Sequence, residues 1–315
     1  MSAAGPPPGA ICSPSGGSAA ATAASVGAQH AMGEDVEEQP ARAAPGGNRE
    51  PFRVAAVQMV SGGDVAANLD EAAPLIAAAV AQGARLVLLP EYFGIFGARV
   101  TDKVIAREAD GDGIQQAFLS RTAREHGIFL IGGTVPLACD DPGRVRSACL
   151  VYGPDGSRIA RYDKIHLFAF TRGDERYDEG RTIEAGATPV AIDLPCGRVG
   201  LSVCYDVRFP ELYRRFSDLA LIVVPSAFTA TTGVAHWHLL LRARAVENLC
   251  YVLAAAQGGT HPNGRRTYGH SVLIDPWGRI VAEREEGPGI VVGDIDPVRI
   301  AEVREALPAL AQRVL

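Results

Sequence analysis

Residues Gly197–Tyr213 read GRVGLSVCYDVRFPELY, and the fold follows from this stretch because it delivers one thiol to the end of a buried strand. Val199, Leu201 and Val203 alternate with smaller residues, the period of a strand, and stop at Cys204; Tyr205-Asp206 then begins a turn and Pro210-Glu211 opens a helix. A sulfur placed where strand becomes turn points into a cleft, and the next backbone N–H groups face the same space, ready for an oxyanion. An internal cysteine is ordinarily no more than a small buried apolar residue. Two further stretches argue against that here. ARLVLLPEYFG ends an apolar strand in Glu91, and RIARYDKIHLF places Lys164 just past another strand. Alone, such a pair is a surface ion pair of little weight. Three strands ending in a carboxylate, an ammonium and a thiol supply what amide hydrolysis asks for: a proton carrier, a charge stabiliser and a nucleophile.

LPEYF around Glu91, YDKIHLF around Lys164 and CYDVRFPELYR from Cys204, in that order, resemble the signatures of the nitrilase superfamily of carbon–nitrogen hydrolases. The likeness runs from about Phe52 to about Leu310. It implies an α/β fold, a four-layer α-β-β-α sandwich. It also implies that Glu91 takes the Cys204 proton and that Lys164 and the Tyr205 backbone N–H hold the oxyanion. Glu91 would then protonate the departing ammonia and activate the water that cleaves a thioester. Glu179, in DEGRTIEAG, resembles the second glutamate that positions the lysine, with Glu175 the weaker candidate. PSAFTATTGVAHWHLLLRARAVENLCYVLAAAQGG, TYGHS and DPWG are similar to the branch acting on deaminated glutathione, and less so to its neighbour acting on short 2-oxo-amides; nitrilases and N-carbamoyl hydrolases carry lower weight. The expected substrate is therefore a small 2-oxo acid amide, with Arg208 and Thr229 as candidate substrate-binding residues. No cofactor or metal is required, and a homodimer is implied.

Arg208, four residues past the thiol, reads equally as a solvated helix-start residue or as a fork for a substrate carboxylate. GGTHPNGRRTYGHS is a glycine-rich rim loop whose Arg265 and Arg266 are candidates to meet the far carboxylate of a tripeptide-like substrate.

The chain has 315 residues, 47% hydrophobic and 21% charged, enough for a sizeable globular core. Thirty Lys and Arg against 36 Asp and Glu give a net charge of −6, which offers no footprint for nucleic acid. The six cysteines, Cys12, Cys139, Cys149, Cys196, Cys204 and Cys250, are scattered without a CxxC, so they read as reduced thiols. That spacing also argues against a thiol redox protein, which needs a resolving cysteine nearby. A non-catalytic binding member of the family would be expected to have lost one of Glu91, Lys164 and Cys204. His236 and His238 flank Trp237 at i, i+2, on different sides of a helix, which makes a shared metal site between them improbable.

Residues 1–50 are rich in Ala, Gly, Pro and Ser with an acidic run at Glu34–Glu38, a composition too poor in large apolar groups to offset ordering entropy. They are expected to be a disordered extension ahead of a hydrolase domain at 51–315, and Met32 is an alternative start. No secretory or transit signal and no run long enough for a membrane span is evident, so the soluble cytoplasm is the default. From PFRVAAVQMV onward the expected order is a strand, a helix Asn68–Gln82, the Glu91 strand, a helix from about Gly113 to His126 and the strand IFLIGGTVPL. A hairpin across Gly153–Gly156 leads to Lys164, and a polar loop runs from about Thr171 to Gly186. A helix Glu211–Phe216, the strand LALIVVPSAF, a helix of about His236–Asn248, a hairpin-like LIDPWGRIVAE and a terminal helix or arm complete the reading.

Overall fold

A computed structural model describes residues 50–314. The expected disordered extension, the alternative start at Met32 and Cys12 lie outside the described residues.

Two sheets carry the chain, each built on three parallel strands. In the first, Phe52–Gln58, Leu86–Leu88 and Phe129–Ile131 run parallel, with Gly289–Ile295 antiparallel on one edge and Val145–Tyr152 on the other; Val135–Ala138 and Arg158–Asp163 both pair with Val145–Tyr152. In the second, Gly197–Leu201, Leu219–Ser226 and Tyr251–Ala256 run parallel, with Ala191–Leu194 antiparallel on one side and Ser271–Ile274 followed by Ile280–Arg284 on the other.

The layering follows from side-chain alternation along the strands. Val54, Ala56, Leu86, Leu88, Ile131 and Val151 face one way and share a core with Val199, Leu201, Val223, Leu253 and Leu273 of the second sheet. Their sequence neighbours Ala55, Val57, Val87, Leu130 and Leu150 face the opposite way, against Leu69, Ala72, Ile76, Phe118 and Leu119 of the helices Val65–Ala81 and Ile114–His126. Trp237, Leu241 and Ala245 of the helix Ala230–Asn248 close the outer face of the second sheet. The result is the helix–sheet–sheet–helix sandwich expected from the sequence.

Several boundaries differ from expectation for identifiable reasons. The first helix starts at Val65 rather than Asn68 because the Asp64 side chain accepts from Ala67 N at 3.1 Å and caps it ahead of the first apolar stripe. The long helix starts at Ala230, six residues earlier than His236. Its first turn has no apolar periodicity, but the Thr229 hydroxyl accepts from Thr232 N at 3.3 Å, and Gly233 admits the Tyr268 ring where a Cβ would lie 2.2 Å from it. The short helix spans Pro210–Arg214, and the terminal one is Pro297–Ala306. The expected loop at 171–186 is in part structured: Ala169–Arg172 pairs with Glu175–Asp178, and Glu179–Arg181 forms a 3₁₀ turn.

Candidate active site

The strand Gly197–Leu201 ends two residues before Val203, and Cys204 itself adopts φ +50°, a left-handed conformation unfavourable for a residue with a side chain. What holds it there is Asp206. This fully buried carboxylate accepts from Val203 N at 2.8 Å, Tyr162 Oη–H at 2.7 Å and His166 N at 3.0 Å, and contacts His166 Nδ1 at 2.7 Å. Glu91 sits on a similar device. Its neighbour Tyr92 has φ +59°, and Gly133 lies so close that a Cβ there would be 1.9 Å from the Pro90 carbonyl oxygen.

Four of the expected residues meet. Lys164 Nζ donates to Glu91 Oε1 at 2.8 Å and to Glu179 Oε2 at 2.7 Å, with the lysine side chain wholly buried and Glu91 1% exposed. Glu179 also accepts from Phe168 N and Tyr92 Oη–H, each at 2.7 Å. Glu91 Oε2 accepts from Ala227 N at 2.9 Å, and its backbone carbonyl accepts from Gln257 Nε2 at 3.1 Å. Cys204 and Glu91 lie near enough that each shifts the proton affinity of the other. Glu175, the weaker alternative, faces elsewhere and accepts from Thr231 Oγ1 at 3.1 Å.

The electrostatics distribute protons unevenly. Burial raises the Glu91 carboxyl above the ordinary range, and the attraction of Lys164 only partly opposes it, because that ammonium is shared. Burial also opposes charge on Glu179, but Lys164 and the two further donors outweigh it and hold the carboxyl below its usual value. Lys164, though desolvated, is held well above the ordinary ammonium value by the two carboxylates. The sequence suggests a thiolate favoured by a nearby ammonium. The structure differs: burial, then the Glu91 charge, push the Cys204 thiol well above its ordinary value, since two carboxylates already cancel the lysine. Cys204 is therefore set apart from Cys149, Cys196 and Cys250, whose thiols burial pushes up to about 12, by the neighbouring Glu91 and Lys164 charges rather than by a lowered pKa.

Around this floor stands an aromatic and cationic rim. The Arg208 guanidinium lies over the rings of Tyr205 and Phe228 at 5.5 and 5.4 Å, contacts His236 Nδ1 through both terminal nitrogens at 3.3 Å, and has its Nε buried without a partner. Arg265 lies over Phe96 at 4.7 Å and Tyr177 at 4.9 Å and makes no ion pair among the described residues. Arg266 points away, 3.7 Å from Glu286 on the surface. Lys103, which gave no sequence signal, is largely buried 5.3 Å over the Tyr92 ring, with only Thr182 Oγ1 at 3.5 Å; desolvation lowers its pKa despite the Glu179 charge. The Thr229 hydroxyl is engaged in the helix cap and with Thr232 Oγ1 at 2.9 Å. Sequence reasoning also missed Tyr92, Asp206 and Gln257. Only the first two had a signal, lying beside Glu91 and two residues past Cys204. A separate surface cleft lined by Arg214, Phe216, Asn248 and Arg304 includes none of these groups.

A sandwich of this topology with a buried Glu, Lys and Cys at strand ends is the arrangement of a class, the hydrolases of carbon–nitrogen bonds. The family described as Carbon-nitrogen hydrolase matches residues 53–305, and the chain belongs to it. It is 42% identical over 271 residues to the deaminated glutathione amidase of Synechocystis, covering 84% of this chain and 99% of that protein. The human omega-amidase NIT2 is 38% identical over 266 residues, 83% of this chain and 95% of that one. Among solved structures, the yeast Nit3 protein, a member of branch 10 of the nitrilase superfamily, superposes with a TM-score of 0.75 at 33% identity, covering 84% of this chain and 97% of that one. The worm NitFhit protein gives 0.76 at 37% identity, covering 84% and 65%. The chain is thus a hydrolase acting on carbon–nitrogen bonds other than peptide bonds. No helix among the described residues is long and apolar enough to cross a membrane.

Proposed function

We propose that the protein hydrolyses the amide of a 2-oxo acid through a thioester on Cys204, with deaminated glutathione as its preferred substrate. The observation that supports this most is the buried Lys164 bonded to both Glu91 and Glu179 beside the Cys204 thiol, which their charges perturb. Cys204 attacks the carbonyl carbon as its proton passes to Glu91. Lys164 and the Tyr205 N–H stabilise the oxyanion, and Glu179 keeps the ammonium in place. Collapse breaks the C–N bond and the leaving amine takes the Glu91 proton. Water then attacks the thioester, giving its proton to Glu91, which returns it to sulfur. The amine released depends on the substrate: ammonia from an unsubstituted carboxamide, but cysteinylglycine from deaminated glutathione, whose amide nitrogen belongs to cysteine. The expectation of ammonia therefore applies only to the first.

Arg208 is the proposed contact for the 2-oxo acid carboxylate, and Arg265, with no ion pair among the described residues, for the far glycine carboxylate. Thr229 takes part through the helix start that it caps, which carries His236 beside Arg208. The reading includes a cytoplasmic homodimer. Leu239 and Val246, seven residues apart on the outer helix, are 70% and 41% exposed, an apolar strip suited to a second copy. The hydrolase domain at 51–315 and a dispensable extension before it belong to the same proposal; deletion of residues 1–49 is expected to leave activity unchanged.

The test is a panel of deaminated glutathione, 2-oxoglutaramate, a simple nitrile and an N-carbamoyl amino acid, assayed for the acid product. Deaminated glutathione is expected to give the highest kcat/KM. Equal or better turnover of 2-oxoglutaramate favours the omega-amidase reading, which the 38% identity to the human relative supports.

A further inference from the structure

On the outer face of the second sheet, three side chains from three separate elements converge on one point. His238, on the helix Ala230–Asn248, places Nε2 2.6 Å from Glu283 Oε1 on the strand Ile280–Arg284. His270, immediately before the strand Ser271–Ile274, places Nδ1 2.6 Å from the same oxygen. A carboxylate has two oxygens and two imidazoles need not share one, yet both rings are directed at Oε1. The ligating atoms all lie within 4.8 Å of one another.

The frame around them is fixed. His270 has φ +57°, its N–H donates to the Glu285 carbonyl at 2.8 Å, and its own carbonyl accepts from Trp237 Nε1 at 2.8 Å. Its ring stacks on Tyr268 at 4.2 Å. The three side chains are 30%, 22% and 24% exposed, which leaves one side open to solvent. Two imidazole nitrogens and one carboxylate oxygen, with an open fourth position, form a donor set suited to zinc-class ions, which bind such atoms at about 2.0–2.2 Å.

We propose that His238, His270 and Glu283 bind one divalent transition-metal ion of the zinc class, with water as the outer ligand. Small rotations of the side chains bring the donors to the spacing of about 3.3 Å that tetrahedral coordination requires. Each imidazole coordinates through the nitrogen now facing Glu283 and keeps its proton on the other. None of the three touches Glu91, Lys164, Glu179 or Cys204. The ion is therefore a pin joining the outer helix to the sheet edge. Through Tyr268, whose N–H donates to the Phe228 carbonyl at 2.9 Å, it also steadies the segment that leads back to Arg265.

Thiols also bind zinc, so the experiment uses the full chain carrying Cys204→Ala. Zn²⁺ is titrated calorimetrically into this protein and into the same protein with His238→Gln, Glu283→Gln or His270→Ala added. One equivalent is expected in the parent, with affinity lowered at least about tenfold by each added substitution. Zn²⁺ should raise the Tm of the parent only, and Co²⁺ should give the visible spectrum of a tetrahedral nitrogen–oxygen site. His270→Ala changes a residue of positive φ and is liable to misfold, so His238→Gln and Glu283→Gln carry the comparison, with folding checked by circular dichroism. Failure to bind at about 100 µM Zn²⁺, or an affinity and Tm shift unchanged in those two variants, overturns the proposal and leaves a hydrogen-bonded cluster only.

Discussion

The floor of the site and its rim treat charge in opposite ways. On the floor, Lys164 is enclosed by two carboxylates, and each carboxylate takes a further backbone donor, Ala227 N for Glu91 and Phe168 N for Glu179. At the rim, Arg265 and Lys103 rest over aromatic rings and form no ion pair among the described residues, and Arg208 leaves one buried nitrogen unused. A group whose bonds are all made can hold a geometry, whereas a cation without a counter-ion is available to a ligand. On the proposed mechanism the floor sets the reaction and the rim sets what is admitted, a division that mutation can break.

The largest effect is expected from Cys204→Ala, which should lower kcat by about 10⁴-fold or more while the melting curve shows a retained fold. Mass spectrometry of the quenched wild type with a slow substrate should find the acyl group on the Cys204 peptide and not on those of Cys149, Cys196 or Cys250. Glu91→Gln and Lys164→Ala should each lower kcat by about 10²–10³-fold. Lys164→Ala should in addition destabilise the protein by about 3–5 kcal/mol in denaturant titration, because it leaves two buried carboxylates facing each other. If Lys164→Ala proved as stable as wild type, the enclosed floor would have no structural meaning. Asp206→Asn, which touches no substrate, should lower stability by about 2 kcal/mol and reduce kcat through the nucleophile turn, with KM nearly unchanged.

Arg265→Ala should have the smallest and most selective effect, about a tenfold rise in KM for deaminated glutathione and none for 2-oxoglutaramate. Equal losses for both substrates would erase the distinction between floor and rim. The pH profile sharpens it from the other side. The proposed mechanism needs Glu91 ionised and Cys204 protonated at rest, and both groups are held above their ordinary values. The acid limb of kcat/KM should therefore lie above the usual carboxylate range and the alkaline limb above that of a free thiol, as properties of the coupled pair.

Much of the floor was legible in the sequence because each of its groups follows a recognisable strand: Glu91 after the apolar run LVLLP, Lys164 after RIARYD beyond the Gly153–Gly156 turn, Cys204 after the alternating GRVGLSV. Glu179 was not legible in that way. It sits on a 3₁₀ turn after a hairpin, Ala169–Arg172 with Glu175–Asp178, whose residues are largely exposed and show no apolar alternation, and only family resemblance picked it out. Gln257 and Lys103 reach the site through contacts with Glu91 and Thr182 whose long sequence separation leaves no local trace. The start of the helix Ala230–Asn248 was missed for a related reason, since a threonine cap and a glycine fitted to Tyr268 replace the apolar stripe that reveals the rest of it.

Two carboxylates around a single ammonium also bear on how a turnover ends. An uncharged amide enters beside Glu91 and Glu179 without electrostatic cost. The acid formed from it carries a negative charge in the same place, where Lys164 is already fully engaged. At low effective dielectric that repulsion is not screened as it is in water. On the proposed mechanism the newly made carboxylate is thus pushed outward by the two glutamates beside it, which speeds its release.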